Sequence, residues 1–394
     1  MTTSTLGLDA RLSGDESAEL RELRRAIHGD PELRFDEHRT GERLRAFLDG
    51  IGELRPGVAG TGLVWTLRGD QPGPSILVRA DMDAYPVTEE SGAPFASRTP
   101  GVSHACGHDV HMTVAAGLAR RIAAGGLPRG TLTVLFQPAE EIPFGQPSGA
   151  RAVLDSGALA ERYDAVLGLH CWPELEVGSI GIDGEIAMAA KDAFRVEFDG
   201  EAAHVAMPTG GRDALVALSA FVLQFYAVVP RRRDASEPVA LNIGTASAGN
   251  SQSQLPPASV LTGTIRTHHR ATRDRIVAAV DALAEGVAVA HGVGAHVTWS
   301  DAMPAVQNAP ELVARASAAL GPIAVTEGLG LPMASEDFAL LDALGPGLYL
   351  KLGVSGDETR HALHSPRFAP DERAIDVGVD ALETIIRDLL EDER

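Results

Sequence analysis

The stretch SILVRADMD, residues 75–83, decides the architecture. It is a short, nearly unbroken apolar run that ends in two acids, Asp81 and Asp83. A strand with apolar residues on both faces needs cover on both faces, which is the habit of parallel strands in an α/β layer. The same form recurs at GLVWTL (62–67), TLTVLF (131–136) and DAVLGL (164–169), each bounded by glycine, proline or polar residues. Helical stretches alternate with these runs. Leu20, Leu23 and Ile27, then Leu44, Phe47, Leu48 and Ile51, recur at helical spacing, and VAAGLARRIAAG (114–125) and ARAVLDSGAL (150–159) follow. The alternation predicts an α/β fold with a mainly parallel central sheet.

The pattern changes near Gly184. AFRVEF (193–198) alternates as a strand with one open face would. A long apolar helix (213–229), two strands (239–246 and 259–267), a second helix (272–291) and a last strand (296–300) complete the order βαββαβ. That order predicts a ferredoxin-like unit, one antiparallel sheet with two helices on one side. The α/β character then returns and ends in a helix from 371. Residues 185–300 are therefore expected to form a smaller domain inserted into a larger, discontinuous one made of 1–184 and 301–394. A length of 394 residues suits two cores better than one.

Composition narrows the function. Hydrophobic residues make up 44% and charged residues 22%, as in ordinary globular chains. The formal net charge of -20 argues against binding to a nucleic-acid backbone, which needs clustered cations. The one basic run, Arg231-Arg232-Arg233, meets Asp234 and Glu237 at once and reads as a solvated turn. No apolar stretch reaches the ~18 residues a membrane span requires. The opening MTTSTLGLDARLSGDESAEL lacks a basic region followed by an apolar core, so a cytoplasmic protein is expected. In a reducing compartment Cys106 and Cys171 are not expected to pair.

The unusual polar residues collect at strand ends, where open α/β sheets bind ligands. SILVRA runs into Asp81-Met82-Asp83, TLTVLF into Gln137-Pro138-Ala139-Glu140-Glu141, and DAVLGL into His170-Cys171. HACGHDVHMT (104–113) lies just before a helix, and HALHSPRF (361–368) lies ahead of the last one. A lone histidine is usually structural, and a Glu-Glu pair is usually a solvated face. Here the first four of these segments bring Asp, Glu, Cys and His to one proposed edge, and HALHSPRF adds two more histidines far downstream. Imidazole, thiolate and carboxylate together suit a divalent ion such as zinc, manganese, nickel or cobalt, and the surplus of acid favours two ions close together. Adjacent Glu140 and Glu141 point different ways from an extended strand end. One can bind metal while the other takes a proton from water, as amide hydrolysis requires. A Cys–His nucleophile built on Cys106 and His108 would leave Glu140, Glu141, His170 and His364 without a role.

Taken in chain order, RADMDAYPV (79–87), HACGHDVHMT (104–113), FQPAEE (136–141), GLH (168–170), AAHVAMP (202–208), ASEDF (334–338) and LHSPRF (363–368) carry a resemblance. The chain resembles the metal-dependent amidohydrolases that include hippurate hydrolase, N-acyl-amino-acid aminoacylases and plant auxin-conjugate hydrolases, within the dinuclear metallopeptidases. The likeness covers nearly the whole chain. It implies a catalytic domain holding two divalent ions per subunit, zinc or manganese first and nickel or cobalt next. It also implies a lid that forms a homodimer through the inserted domain. The resemblance puts the metal ligands on Cys106, His108, Glu141, His170 and His364, with Cys106 bridging. It puts the general base on Glu140, an orienting carboxylate on Asp83 and a lid histidine that polarises the scissile carbonyl on His204, for its own subunit or a partner. Arg266 is a candidate for holding the substrate carboxylate. His104 and His111 are read as supporting residues. The implied reaction splits the amide of an N-acyl-amino acid into a carboxylate and a free amino acid. A dipeptidase or carboxypeptidase of the same build, or a metal-free binding homologue, is the alternative. The chain departs from the family at Ser253, within GNSQSQLPP (249–257), where an asparagine is usual, and at Tyr85, where a leucine is common. The lid stretch lies near the expected substrate pocket, so an acyl or amino-acid preference different from that of relatives is expected.

Overall fold

The structure, a computed structural model, describes residues 13–143, 145–300, 302–326, 329–356 and 361–391. Most of the opening stretch read for a targeting signal, residues 1–12, lies outside the described residues, as does the expected boundary residue 301.

In chain order the first elements are α1 (Gly14–His28), α2 (His38–Phe47), β1 (Glu53–Val58), β2 (Gly62–Arg68), β3 (Gln71–Asp81), α3 (His108–Gly125), β4 (Arg129–Gln137), α4 (Gly149–Ser156), β5 (Ala165–Glu176), β6 (Ile180–Ile182) and β7 (Ile186–Met188). Then come β8 (Ala190–Asp199), α5 (Ala214–Val228), β9 (Val239–Ala248), β10 (Ala258–Thr267), α6 (Arg270–His291) and β11 (Gly294–Trp299). The chain closes with β12 (Val306–Gln307), α7 (Pro310–Leu320), β13 (Ala324–Val325), β14 (Gly347–Ser355) and α8 (Arg373–Glu391).

The large sheet has the order β1-β2-β4-β3-β5-β14-β6-β13. Its middle, β4, β3, β5 and β14, is parallel. Antiparallel pairs flank it at β2–β4 and β14–β6. The apolar run at 75–80 lies in the parallel middle as expected. Ile76 and Val78 enter the core beneath α1, α3 and α8, while Leu77 enters the core on the opposite face. Both faces are therefore covered, which is why the run shows no alternation.

β14 was not foreseen as a strand. Its apolar run is broken by Lys351, which the fold buries in an ion pair with Asp183 at 2.8 Å. Leu348, Leu350 and Leu352 fill one core and Tyr349 the other.

Residues 190–299 build a second sheet, order β11-β8-β10-β9, all antiparallel. Phe194, Val196, Leu261 and Ile265 form a core of their own with Phe221 and Phe225 of α5 and Val280 of α6. Both helices cover this one face. The other face presents Lys191, Arg195, Thr262, Thr264 and Arg266, by the two-residue period of strands. Contrary to the sequence reading, Ala214–Arg232 is long and apolar enough to cross a membrane by composition. Its Ala214, Ala217, Leu218, Phe221 and Phe225 instead pack on the second sheet.

Candidate active site

The site lies where the parallel strands end. Asp83 follows β3, Glu140 and Glu141 follow β4, and His170 stands within β5. Cys106 and His108 enter from the start of α3, and His364 from the segment before α8. Gly107 joins Cys106 to His108 with a left-handed φ of 89°, and an added Cβ would come 2.7 Å from the Cys171 sulfur. Only glycine meets both demands. Ala139 and His364 also hold positive φ, 53° and 62°. A strained backbone at these two points turns Glu140 and the His364 ring toward the cavity.

The donor atoms converge. Cys106 Sγ lies 3.3 Å from His170 Nε2 and 3.2 Å from His364 Nε2. His364 Nε2 also lies 2.7 Å from Glu141 Oε1. Two triples of donors, Cys106–His108–His170 and Cys106–Glu141–His364, each fall within 4.8 Å and meet at the thiol. A third, His108–Glu140–Glu141, links them. His108 Nε2 is buried and, among the described residues, has no hydrogen-bond partner; the nearest carboxylate, Asp81 Oδ2, stands 3.6 Å away. Its other nitrogen is fixed by the Asp83 backbone carbonyl at 2.8 Å, and His170 Nδ1 is fixed by the Cys171 carbonyl at 2.8 Å. Rings held at one nitrogen, with the other aimed into a shared space, are oriented as metal ligands are. An orphaned buried nitrogen needs a partner. The donor set fits two divalent metal ions.

Carboxylates set the frame around these donors. Asp83 accepts the backbone N–H groups of Glu140 at 3.0 Å and Glu141 at 2.9 Å. Glu37, wholly buried, accepts the N–H of Ala139 at 2.9 Å. His111 bonds Asp81 through Nδ1 at 2.6 Å and accepts the Cys171 N–H at 2.8 Å. His104 is buried, and among the described residues neither of its ring nitrogens has a hydrogen-bond partner. Tyr85, the departure noted above, stacks on His364 with ring centroids 4.0 Å apart.

Electrostatics follow from burial beside acids. Burial and then Glu141 and Glu140 push the Cys106 thiol well above its ordinary range. Burial alone would lower His108, but Asp81 and Asp83 outweigh it and lift the ring to about 10. Burial, then Glu336 and Glu141, push Glu140 well above the carboxylate range. In the protein alone Cys106, His108 and Glu140 are therefore biased toward keeping their protons, whereas burial and then His111 hold His170 well below its ordinary range, and divalent charge is what would release the protons of the first three.

A cavity of about 250 Å³ opens over this cluster. It is lined by Cys106, Glu140, Glu141, His170 and His364 together with Arg266 and Lys191 from the second sheet. Arg266 Nη1 donates to the Met333 carbonyl at 3.0 Å and to Ser335 Oγ at 2.8 Å. His204 is not brought to this cavity within the chain. It is exposed, and its Nδ1 accepts the Ala206 N–H at 3.2 Å.

Sequence reasoning missed one layer. Arg79, inside β3, pairs with Asp81 at 2.7 Å, Asp337 at 2.6 Å and Glu336 at 2.8 Å, all buried. Glu336 also accepts from Tyr349 at 2.6 Å and lines the cavity. ASEDF was seen as a motif without a role. The available signal was a charge, Arg79, in a strand otherwise apolar.

A sheet whose strand ends gather thiol, imidazoles and carboxylates around one cavity defines a metal-dependent hydrolase. The chain belongs to peptidase family M20/M25/M40, whose model matches residues 77–388. It is 33% identical over 360 residues to N-acetylcysteine deacetylase of Bacillus subtilis (strain 168), covering 90% of this chain and 93% of that protein. It is 34% identical over 375 residues to N-acetyldiaminopimelate deacetylase of Streptococcus suis (strain 05ZYH33), covering 92% and 97%. Its fold is similar to the crystal structure of a dinuclear metal-binding M20 peptidase of Bacillus subtilis, with a TM-score of 0.80, 30% identity and coverage of 96% and 99%.

Proposed function

We propose that the protein hydrolyses the amide bond of N-acyl-amino acids, releasing a carboxylate and a free amino acid. The observation that carries this reading is the convergence of four donors, His108, His170, Glu141 and His364, on the Cys106 thiol with the Glu140 carboxyl beside them. Relatives named as deacetylases of N-acetylated amino acids support the substrate class.

Cys106, His108, Glu141, His170 and His364 would hold two divalent ions, zinc or manganese first. Bound there, such ions polarise a carbonyl and acidify water. Glu140 takes the proton of the attacking water and passes it to the departing amine. Its raised proton affinity, from burial and from Glu336 and Glu141, suits the second transfer. Asp83 holds the backbone of both glutamates in place. Arg266, which forms no ion pair among the described residues and bonds the Met333 carbonyl and Ser335 Oγ, takes the substrate carboxylate.

The reading includes a division of the chain into a catalytic unit (1–184 and 301–394) and an inserted lid (185–300), supported by the separate cores. It also includes a homodimer through the lid. Leu215, Val216, Leu223 and Tyr226 expose apolar surface on α5, and Leu223 is 75% exposed. β9 is an open sheet edge beside them. Contiguous apolar surface beside an edge strand marks an interface. His204, exposed on the lid, would then serve the partner's site as a donor to the scissile carbonyl oxygen.

The test is amine release from a panel of N-acyl-amino acids and dipeptides, before and after chelation, with zinc, manganese, nickel or cobalt restored singly. Metal-dependent release from acylated amino acids is expected. Cleavage of dipeptides alone would make the protein a dipeptidase, and release indifferent to chelation would overturn the reading.

A further inference from the structure

A second cavity, about 210 Å³, continues from the first along the helix-free face of the second sheet. Ile142, Lys191 and Met303 line both, so the two form one cleft with Lys191 at the waist. Beyond the waist the walls are Asn242, Thr262 and Thr264 from the sheet and Arg151 from α4.

Charge is what distinguishes the second cavity from the first, which Glu140, Glu141 and Glu336 line. The chain carries a formal net charge of -20, yet among the described residues no carboxylate lines the second cavity. Two cations do, Lys191 and Arg151, and among the described residues neither forms an ion pair. Lys191 is moreover the direct cross-strand partner of Arg266. Like charges placed opposite each other on one face of a sheet repel and destabilise it. Holding such a pair at the mouth of a cavity, with hydroxyl and amide donors beyond, suits a ligand that brings negative charge.

We infer that the second cavity is the subsite for an anionic group, and that the preferred substrates carry a second carboxylate held by Lys191 and Arg151. The inference rests on the amidohydrolase reading for the bond that is cut, but not for the anion that is held. The second carboxylate belongs either to the amino-acid side chain or to a dicarboxylic acyl group. Both present the same chemistry to Lys191.

The experiment compares kcat/KM within two matched pairs: N-acetylglutamate against N-acetylglutamine, and N-succinyl-leucine against N-butyryl-leucine. The wild type is expected to favour the acidic member of at least one pair by about tenfold or more, the scale of one charge-assisted hydrogen bond. The pair that responds tells which end of the substrate carries the charge. Lys191→Met keeps the aliphatic stem and removes the charge, and it should collapse that ratio toward one. Arg151→Met, at an exposed helix position, should lower the ratio too and guards against a folding artefact. A parallel titration measures glutarate against butyrate by calorimetry on the metal-loaded protein. Glutarate is expected to bind more tightly, and Lys191→Met should weaken it by about tenfold. If no acylated amino acid is cleaved but glutarate binding depends on Lys191, the amidohydrolase reading fails and the anion site stands. A wild type without preference in either pair, or a ratio and a glutarate affinity that survive both substitutions, overturns the inference.

Discussion

Asp83 and Glu140 are joined through the backbone: one carboxylate oxygen of Asp83 accepts the Glu140 N–H at 3.0 Å, and its other oxygen takes the neighbouring N–H of Glu141 at 2.9 Å. One buried carboxylate thereby fixes the backbone from which both glutamates reach the donor cluster. Asp83→Asn leaves one of the two N–H groups facing an amide donor. We expect kcat to fall about 10–100-fold, the usual cost of losing such a support. His108 should stay oriented, because its 2.8 Å bond to the Asp83 backbone carbonyl remains while only the longer 3.4 Å contact with the Asp83 carboxylate is altered. Steady-state kinetics with metal analysis on the same sample checks this. An unchanged kcat would mean that the Asp83 side chain does not position the glutamates.

Cys106→Ser removes the atom at which both donor triples meet. We expect lower metal content and little activity, because a hydroxyl replaces the thiolate that both triples share. Loading of the wild type should also strengthen from about pH 6 to about pH 8, since the thiol and the His108 imidazolium must both give up protons to bind. Full metal and full turnover in the variant would show that the thiol is merely packed.

The order in which these features became visible has a physical reason. Strands β3, β4 and β5 were legible as apolar runs because both faces are covered, and the acids and histidines after them were legible because strand ends collect ligands. The βαββαβ pattern was legible for the opposite reason, one covered face and one open. What stayed hidden depends on distant partners. Lys351 masks β14 until Asp183 neutralises it. Arg79 gains meaning only when Glu336 and Asp337, more than 250 residues away, arrive beside it. Lys191 reads as an ordinary strand charge until the register sets it opposite Arg266.

His28 supplies a pH dependence away from the cavity. Its ring is buried between Asp109 at 2.8 Å and Glu89 at 3.1 Å. Burial would lower its pKa, but Asp109 and then Glu89 outweigh this and raise it to about 9. A raised pKa contributes stability that is complete below the unfolded value of 6.5 and is lost as pH climbs through about 9. His28→Gln removes that contribution. The Tm difference between wild type and variant should therefore be large at about pH 6 and shrink by about pH 10. A constant difference across that range would show that His28 is neutral when folded.

His204→Ala tests the lid. If the exposed ring donates to the carbonyl oxygen across a dimer, kcat should fall by ~10²–10³ with metal content unchanged. Mixed dimers of His204→Ala and Glu140→Gln subunits should regain part of the activity, since one of their two sites would be whole. No recovery in verified mixed dimers would assign His204 to its own subunit, and an unchanged kcat would remove it from the reaction.

The most direct measurement is metal content and amine release, in the same samples, for wild type, Glu140→Gln and Glu141→Gln. Glu141 Oε1 lies 2.7 Å from His364 Nε2 within the donor cluster, whereas Glu140 sits between that cluster and Glu336. We expect two ions per chain in the wild type and in Glu140→Gln, with the latter slowed by ~10²–10⁴, the worth of a general base. Glu141→Gln should lose metal. Metal lost from Glu140→Gln and kept by Glu141→Gln, or hydrolysis at the wild-type rate without the Glu140 carboxylate, would contradict the assignment at its centre.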